Sequence, residues 1–426
     1  MRENYIFINI ASYRDPELIP TIEDAIDKAK YPERLVFGIC HQRSEDDKWD
    51  NLEKYEDDER FRVIDMDYKD AKGVCYARAE IQKLWEDEQF TLQLDSHHRF
   101  IKHWDAELIN TFFDCVKAGY QKPLITSYIP SYDPKNDPEG RVEEPWYLTF
   151  DRFAPEGPLH TRPHTIDNYK ECSLPIPARF FSAHFAFTMG EFNREVLYDP
   201  SLYFHGEEIT MAVRAYTHGY DLLSPHKVFA WHHYGRDFDK KHWGDHKNFN
   251  ERDQLSFARV RMLLSIGRVK CRPCQLKQLK PYAFGKERKF TDYERYAGID
   301  FSSKKLQGYT LKHKTPPNPP PGEGEEWSQT LLSYQKFCVD LHRSHFKYDD
   351  YIFCVVSFEG EEPDDVIFRE DLPKEELDRL LAETPSDNFI HIWKEFYGPM
   401  PSKVVIWPNS KKHGYVDRYE HRFDAS

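Results

Sequence analysis

The sequence lacks any apolar run near the length that spans a bilayer, and its N-terminus shows no signal-peptide pattern. It also lacks an excess of positive charge, because 59 Lys and Arg stand against 73 Asp and Glu and the net charge is −14. A chain this acidic is a poor general binder of nucleic acid or of anionic membranes. We therefore expect a soluble, cytoplasmic protein without a transmembrane segment and without a nucleic-acid partner.

Cysteines are few and scattered, with eight in 426 residues. A chain of this length needs no disulfide bonds to fold, so we expect reduced thiols. Cys271 and Cys274 form an isolated CxxC pair without a second pair or a histidine pattern nearby, which gives little support for a zinc site. No internal repeat is visible.

Hydrophobic residues make up 39% of the chain and aromatic residues 15%. This content supports a core of ordinary size, and the aromatic side chains also suit stacking on sugars and bases. Short apolar runs typical of buried strands alternate with segments of helical spacing: runs at 5–10, 35–39, 61–66 and 90–94, helices at 20–30 and 71–85. This alternation predicts an α/β fold with a parallel sheet, in which ligands bind at the carboxyl ends of the strands.

A Pro- and Gly-rich segment divides the chain into two parts. Residues 313–326 contain Thr-Pro-Pro-Asn-Pro-Pro-Pro-Gly-Glu-Gly, which predicts a semi-rigid linker. We expect a catalytic domain at 1–312 and a small strand-rich accessory domain at 327–426, with one short helix at 374–383. Residues 130–180 show little periodicity, and we interpret them as a long excursion over the site.

The clearest candidate for chemistry follows the predicted strand at 90–94. Asp95 and His97 stand two residues apart at its carboxyl end. A carboxylate oxygen and an imidazole nitrogen suit a divalent ion such as Mn²⁺. The triplet Asp95-Ser96-His97 is also compatible with an ordinary polar loop at the end of a strand.

His232 and His233 follow another short apolar strand. One of them could complete the metal site, but neighbours in an extended segment point to opposite faces, so we expect only one to ligate. We prefer His233. The alternative is that both are structural histidines with ordinary hydrogen bonds.

Glu207 and Glu208 follow Gly206 in the first turn of a predicted helix. Carboxylates there are stabilised by the helix dipole, so a structural role at the helix start is one interpretation. The other is that one of them binds donor or acceptor hydroxyls and acts in catalysis.

Two further segments are candidates for binding a nucleotide. Lys72 and Arg78 lie near the N-terminus of a predicted helix, where a glycine and a positive helix end can bind an anion. Ser12 and Arg14 lie in the loop after the first strand, which commonly covers base and ribose in nucleotide-binding sheets. Both segments are also compatible with solvated loops.

Taken in order, these segments resemble glycosyltransferase family 60, the cytoplasmic N-acetylglucosaminyltransferases that modify a hydroxyproline on a ubiquitin-ligase adaptor, with their bacterial and viral relatives. The resemblance covers roughly residues 4–305 and excludes 327–426. The matching segments are many and collinear: 10–18, 71–78, 93–97, 205–209, 216–221, 232–236 and 295–301.

The resemblance implies a GT-A fold, a UDP-sugar donor with N-acetylglucosamine favoured, Mn²⁺ (or Mg²⁺), and a protein or glycan hydroxyl as acceptor. The polypeptide N-acetylgalactosaminyltransferases use a similar Asp-x-His with a distant histidine. By that analogy the metal is held by Asp95, His97 and either His232 or His233. The analogy also assigns Ser12 and Arg14 to the nucleotide, Arg78 and Asp95 to the donor sugar or ribose, and Glu207 or Glu208 to sugar or acceptor hydroxyls.

The resemblance further implies that the anomeric configuration is retained, with front-side attack in which the leaving diphosphate accepts the acceptor proton. Two other classes stay open at this point. One is a carbohydrate-binding protein with a decayed transferase domain, and the other is a metal-dependent phosphoesterase.

Overall fold

The computed structural model describes residues 1–235, 240–269, 273–362, 365–386 and 388–423. Arg236 and Cys271, which belong to two of the sequence motifs, lie outside these residues. The chain forms two compact units. Unit 1 contains residues 1–303 and 312–320, and unit 2 contains residues 304–311 and 321–426.

Unit 1 combines helices with many strands. The strands are β1 (Arg2–Tyr13), β2 (Leu35–Arg43), β3 (Phe61–Asp67), β4 (Glu88–Leu94), β5 (His98–Phe100), β6 (Pro123–Thr126), β7 (Trp146–Phe153), β8 (Leu159–Thr165), β9 (Ile176–Pro177), β10 (Phe185–Met189), β11 (Asp221–Ser224), β12 (Ala230–His232) and β13 (Ile299–Asp300). The helices are α1 (Leu18–Lys28), α2 (Val74–Gln82), α3 (Trp104–Lys117), α4 (Phe192–Glu195), α5 (Glu207–Thr217), α6 (His242–Asp245), α7 (Phe249–Leu264), α8 (Pro273–Leu279) and α9 (Phe290–Ala297).

The central sheet has eight strands in the order β3-β2-β1-β4-β10-β6-β11-β9. The four strands β3, β2, β1 and β4 are parallel, as the sequence predicts. However, β10 runs antiparallel to both β4 and β6, and β9 runs antiparallel to β11, so the sheet is mixed. Mixed sheets are common when an α/β fold carries more than a few strands.

The apolar strands are continuous because both faces of the sheet are covered. Ile8 and Phe37 belong to a large core cluster that also contains Trp104 of α3. Phe7, which alternates with Ile8 along β1, packs with Ile81 of α2 on the other face. In a strand that is buried on both faces, polar and apolar residues do not alternate, which is why these runs are apolar throughout.

Two smaller ribbons complete unit 1. β5 pairs antiparallel with β12, and β7 pairs antiparallel with β8. The β7–β8 hairpin lies inside the segment 130–180, so the excursion predicted there contains regular structure.

Unit 2 is rich in strands. Its elements are β14 (Lys305–Gln307), α10 (Gly308–Leu311), β15 (Leu331–His342), β16 (Tyr351–Glu359), β17 (Val366–Arg369), β18 (Leu372–Pro373), α11 (Lys374–Glu383), β19 (Phe389–Gly398), β20 (Lys403–Ser410), β21 (Gly414–Tyr415) and β22 (Tyr419–Arg422). β15 pairs antiparallel with β19 and β16 with β20. Thus the prediction of an α/β fold with a strand-rich C-terminal region is confirmed.

Alternate residues of these strands build a separate core. Val339 of β15, Val356 of β16 and Ile390 of β19 are buried together with Leu377 of α11. The strand β15 was not predicted from the sequence, because its outer positions carry aromatic and charged residues and its buried positions do not form a continuous run.

No helix among the described residues is long and apolar enough to cross a membrane. All the described cysteines are free thiols: Cys40, Cys75, Cys115, Cys172, Cys274, Cys338 and Cys354.

Gly38, in the middle of β2, leads to a first prediction. A Cβ atom there would lie 2.3 Å from the Phe7 ring and 3.0 Å from Ile81, and both side chains are fully buried. We expect Gly38→Ala to destabilise unit 1 by about 1–3 kcal/mol, because the overpacked core cannot relax. Thermal unfolding would measure the loss.

Gly244 provides the matched control, since a Cβ atom there would meet nothing within 4 Å. Gly244→Ala should leave the unfolding temperature nearly unchanged. Equal effects of the two substitutions would contradict the packing argument.

Candidate active site

Three potential metal ligands meet where β4 ends. Asp95 and His97 follow this strand directly, and His232 is the last residue of β12. Ligand atoms of the three side chains all lie within 4.8 Å of one another. The Asp95 Oδ2 atom is 3.4 Å from His232 Nε2 and 3.8 Å from His97 Nε2.

Hydrogen bonds orient two of these side chains. His97 Nδ1 lies 2.8 Å from Oδ2 of Asp15, which also accepts a 2.6 Å hydrogen bond from the Ser96 hydroxyl. Because the Asp15 carboxylate accepts the Nδ1 proton, Nε2 of His97 carries the lone pair. Asp95 Oδ1 accepts a 2.7 Å hydrogen bond from Arg78, which leaves Oδ2 facing the two histidines.

The ribbon of β5 and β12 places His232, and not the preferred His233, beside Asp95 and His97. In its register, His232 stands opposite His98, and the backbone amide of His233 donates to the His97 carbonyl at 3.1 Å. The His232 side chain therefore points toward Asp95, whereas His233 is not part of the group of three. Both ring nitrogens of His232 are buried without a hydrogen-bond partner among the described residues.

The protonation of the group suits a cation. Burial lowers the pKa of His232 well below its ordinary value, so the ring is a neutral ligand. Burial alone would raise the pKa of Asp95, but His232 and Arg78 outweigh it and hold that pKa well below the usual range. The donor set of one carboxylate oxygen and two imidazole nitrogens fits an ion of intermediate hardness such as Mn²⁺.

Arg78 connects this group to the helix α5. Its guanidinium is 2% exposed and donates to Asp95 and, at 2.8 Å, to Oε1 of Glu207. The other Glu207 oxygen accepts from the Cys75 thiol at 2.9 Å. Burial raises the pKa of Glu207 although Arg78 opposes the change. With both oxygens occupied, Glu207 is held in place and positions Arg78.

Glu208 points toward a different part of the site. Its Oε2 accepts a 2.8 Å hydrogen bond from the Tyr128 hydroxyl, and its Oε1 accepts a 2.9 Å hydrogen bond from the Ala183 amide. Burial raises the pKa of Glu208 to about 7, and those two donors only partly oppose the increase. A carboxyl group with this pKa can donate or accept a hydrogen bond near neutral pH.

A cleft of about 560 Å³ lies over these residues. Its lining includes Asp95, His97, Arg78, Glu207, Glu208, His232 and His233. Aromatic, histidine and lysine side chains form much of the rest of its wall: Tyr13, Tyr128, His160, Phe180, Phe181, His184, Tyr203, Phe204, His205, Tyr234, Lys240, Lys241, His242 and Trp243. Such a wall can stack on flat or sugar rings and attract negative charge.

Three of the residues predicted to bind a nucleotide do not line this cleft. The Arg14 guanidinium donates to Asp47 at 3.0 Å and to Asp245 at 3.0 Å. Ser12 is fully buried, and the exposed Lys72 places its ammonium 4.6 Å from the Tyr76 ring. Their roles toward a nucleotide stay predictions, while Ala11 and Tyr13 from the same first loop do reach the cleft.

Several residues of the cleft were not predicted from the sequence. The ring of His184 stacks on His232 with centroids 4.2 Å apart, and its Nε2 accepts from the Ile129 amide at 3.3 Å. A histidine directly before an apolar strand was the available signal. Lys240 and Lys241 also reach the cleft, and two adjacent lysines in so acidic a chain were a second signal.

The family model described as Glycosyltransferase (GlcNAc) matches residues 5–59 and 49–303 of this chain. No curated protein matches this chain. Among solved structures, that of GalNAc-T7 with UDP, GalNAc and Mn²⁺ is similar at 12% identity, with a TM-score of 0.47, covering 99% of this chain and 72% of that one. The S. aureus TarS 1-349 complex with UDP-GlcNAc is similar at 12% identity, with a TM-score of 0.37, covering 68% of this chain and 72% of that one.

The raised pKa of Glu208 predicts how stability depends on pH. Since its folded-state pKa of about 7 lies above the ordinary 4.5, the fold favours the protonated form. This contribution is complete below about pH 4.5 and is lost as the pH rises through about 7. We expect Glu208→Gln to be less stable than the wild type at pH 5.5, because a hydrogen-bond acceptor is lost. By pH 8 this difference in the free energy of unfolding should shrink by on the order of 1 kcal/mol, because only the wild type loses the contribution of the protonated carboxyl group.

Unfolding temperatures at the two pH values would measure this recovery. Glu33→Gln, at an exposed glutamate on the surface of the same unit, is the control and should show the same difference at both pH values. A stability difference for Glu208→Gln that does not depend on pH would contradict the raised pKa.

Proposed function

Because this chain belongs to the glycosyltransferase family described as Glycosyltransferase (GlcNAc), we propose that it transfers a sugar from a UDP-sugar to an acceptor hydroxyl. N-acetylglucosamine is the favoured sugar, and the acceptor is a protein or a glycan. The proposed reaction depends on a divalent metal ion and retains the anomeric configuration, in a GT-A fold. The meeting of Asp95, His97 and His232 beside the cleft carries this proposal.

These three residues fit a metal ion. His232 has two buried ring nitrogens without a hydrogen-bond partner among the described residues, and an ion would satisfy one of them. Asp15 and Arg78 orient the two other ligands. When bound, Mn²⁺ (or Mg²⁺) would neutralise charge on the diphosphate of the donor and of the leaving UDP.

The chain's own residues would orient the two substrates. In the proposed reaction, the acceptor oxygen bonds to the anomeric carbon while the bond from that carbon to the diphosphate oxygen breaks. The acceptor proton passes to the leaving diphosphate, so no side chain has to act as the base. Glu207 then positions Arg78, and Glu208 binds a hydroxyl of the sugar or of the acceptor.

The wall of the cleft suits such substrates. Lys240 and Lys241 would attract the diphosphate, and Tyr13 and Trp243 offer rings for stacking. The three nucleotide roles predicted for Ser12, Arg14 and Lys72 are weaker elements of the proposal, since these side chains do not line the cleft.

The proposed metal site leads to a prediction about turnover and about two neighbouring histidines. In the wild type we expect slow hydrolysis of one UDP-sugar with Mn²⁺, and both EDTA and Asp95→Ala should abolish it. His232→Ala should raise the Mn²⁺ concentration for half-maximal turnover at least about tenfold, equivalent to about 1.4 kcal/mol. In His233→Ala that concentration should stay the same, because His233 is not in the ligand group.

A screen of nucleotide sugars with Mn²⁺, Mg²⁺ and EDTA would measure these effects. Binding of a sugar without turnover or nucleotide dependence would favour a decayed, carbohydrate-binding protein. Phosphate release that needs no acceptor would favour a phosphoesterase.

Retention predicts the stereochemistry of the product. With an α-linked UDP-sugar and a hydroxyproline peptide or a glycan as acceptor, we expect an α-linked product. The coupling constant of the anomeric proton in NMR spectra distinguishes the two anomers. A β-linked product would overturn front-side attack and would require a side-chain base, for which Glu208 is the first candidate.

A further inference from the structure

A second group of ligand-type side chains lies in unit 2. Cys338 and Asp340 of β15 and His391 of β19 are all exposed, and their ligand atoms lie within 4.8 Å of one another. The Asp340 Oδ1 atom is 2.7 Å from His391 Nδ1 and 3.4 Å from Cys338 Sγ. This group has no part in the proposed transfer reaction.

The ladder of β15 and β19 brings these residues together. Asp340 stands directly opposite His391 in the antiparallel register, and Cys338 precedes Asp340 by two residues. Residues two apart on a strand share a face, so all three side chains project from the same outer surface. The alternate residues Val339 and Ile390 are buried in the core of unit 2. The backbone positions of the group are therefore fixed by core packing.

We propose that Cys338, Asp340 and His391 bind a zinc-type divalent ion, independently of the site in unit 1. A thiolate, an imidazole and a carboxylate are the three kinds of ligand that Zn²⁺ takes from proteins. Because the group is exposed, water supplies the fourth position. The ion would connect the two strands and bind exchangeably.

The distances fit such an ion after a small adjustment. Zn²⁺ bonds of about 2.0–2.3 Å in a tetrahedron place neighbouring ligand atoms roughly 3.3–3.6 Å apart. The 3.4 Å between Cys338 Sγ and Asp340 Oδ1 already meets this requirement. The 2.7 Å between Asp340 and His391 must lengthen, and side chains that are 58% and 60% exposed can rotate to allow it.

Binding should release the thiol proton. Because zinc binds the thiolate and not the thiol, the ion must displace the Cys338 proton. Affinity for the ion is therefore expected to increase as the pH rises from 6 to 8.

Cobalt distinguishes this site from the one in unit 1. Co²⁺ bound to a thiolate gives a sulfur-to-metal charge-transfer band in the near ultraviolet, whereas Asp95, His97 and His232 contain no sulfur. We expect the full-length protein to develop this band with Co²⁺ at pH 8 and to lose it when Zn²⁺ is added. Cys338→Ser should abolish the band, and Cys274→Ser, at another exposed cysteine, should leave it unchanged.

Zn²⁺ titration provides the second measurement. In an Asp95→Ala background, which removes the site in unit 1, Cys338→Ser and His391→Ala should each raise the Kd for Zn²⁺ at least tenfold. Circular dichroism of each variant would verify that it is folded. The proposal is overturned if no charge-transfer band forms, if the band survives Cys338→Ser, or if it depends on Cys274. In the first case the three residues are a hydrogen-bonded surface group and nothing more.

Discussion

The buried guanidinium of Arg78 is the interaction on which the arrangement of the site depends. It donates to Asp95 at the end of β4 and to Glu207 at the start of α5, so one side chain links three elements of unit 1. A buried cation is tolerated only where carboxylates pair with it, and each carboxylate is in turn expensive to bury without it. Lysine could not replace this arginine, because a single ammonium lacks the planar fork that reaches two carboxylates in fixed directions. The position of Asp95 follows from this constraint.

A second layer of contacts decides which atoms of the ligands face the cleft. Asp15 holds Nδ1 of His97, and the hydroxyl of Thr21 donates to the Ser96 carbonyl and accepts from the His98 amide. Thr21 belongs to α1, so the loop that carries the ligands is fixed between α1 and β4. His184, in the turn just before β10, stacks on His232. The same mixed sheet that places β10 beside β4 therefore also supports the third ligand.

The two units present different groups of candidate metal ligands. In unit 1 the candidate ligands are largely buried and include the neutral imidazole of His232, which suits an ion that must hold a charged substrate. In unit 2 the ligand group is exposed and includes a thiol, and its geometry comes from a single pair of strands. The group in unit 1 is held by surrounding helices and strands, whereas the group in unit 2 is held by the register of two strands and by the core beneath them.

Much of the fold and part of the site followed from the sequence alone. The continuous apolar runs predicted the buried strands of an α/β fold, because a strand covered on both faces has no polar alternation. Asp95 and His97 were identified since a strand ends just before them. Other features required tertiary structure. The choice of His232 depends on the register between β5 and β12, and the place of β10 in the sheet depends on long-range pairing. Arg14 carries the positive charge expected at a nucleotide, but Asp47 and Asp245, far from it in sequence, accept its hydrogen bonds. The sequence determined which residues could do chemistry, and only the folded chain decided which of them meet, because contacts between distant segments leave no local pattern.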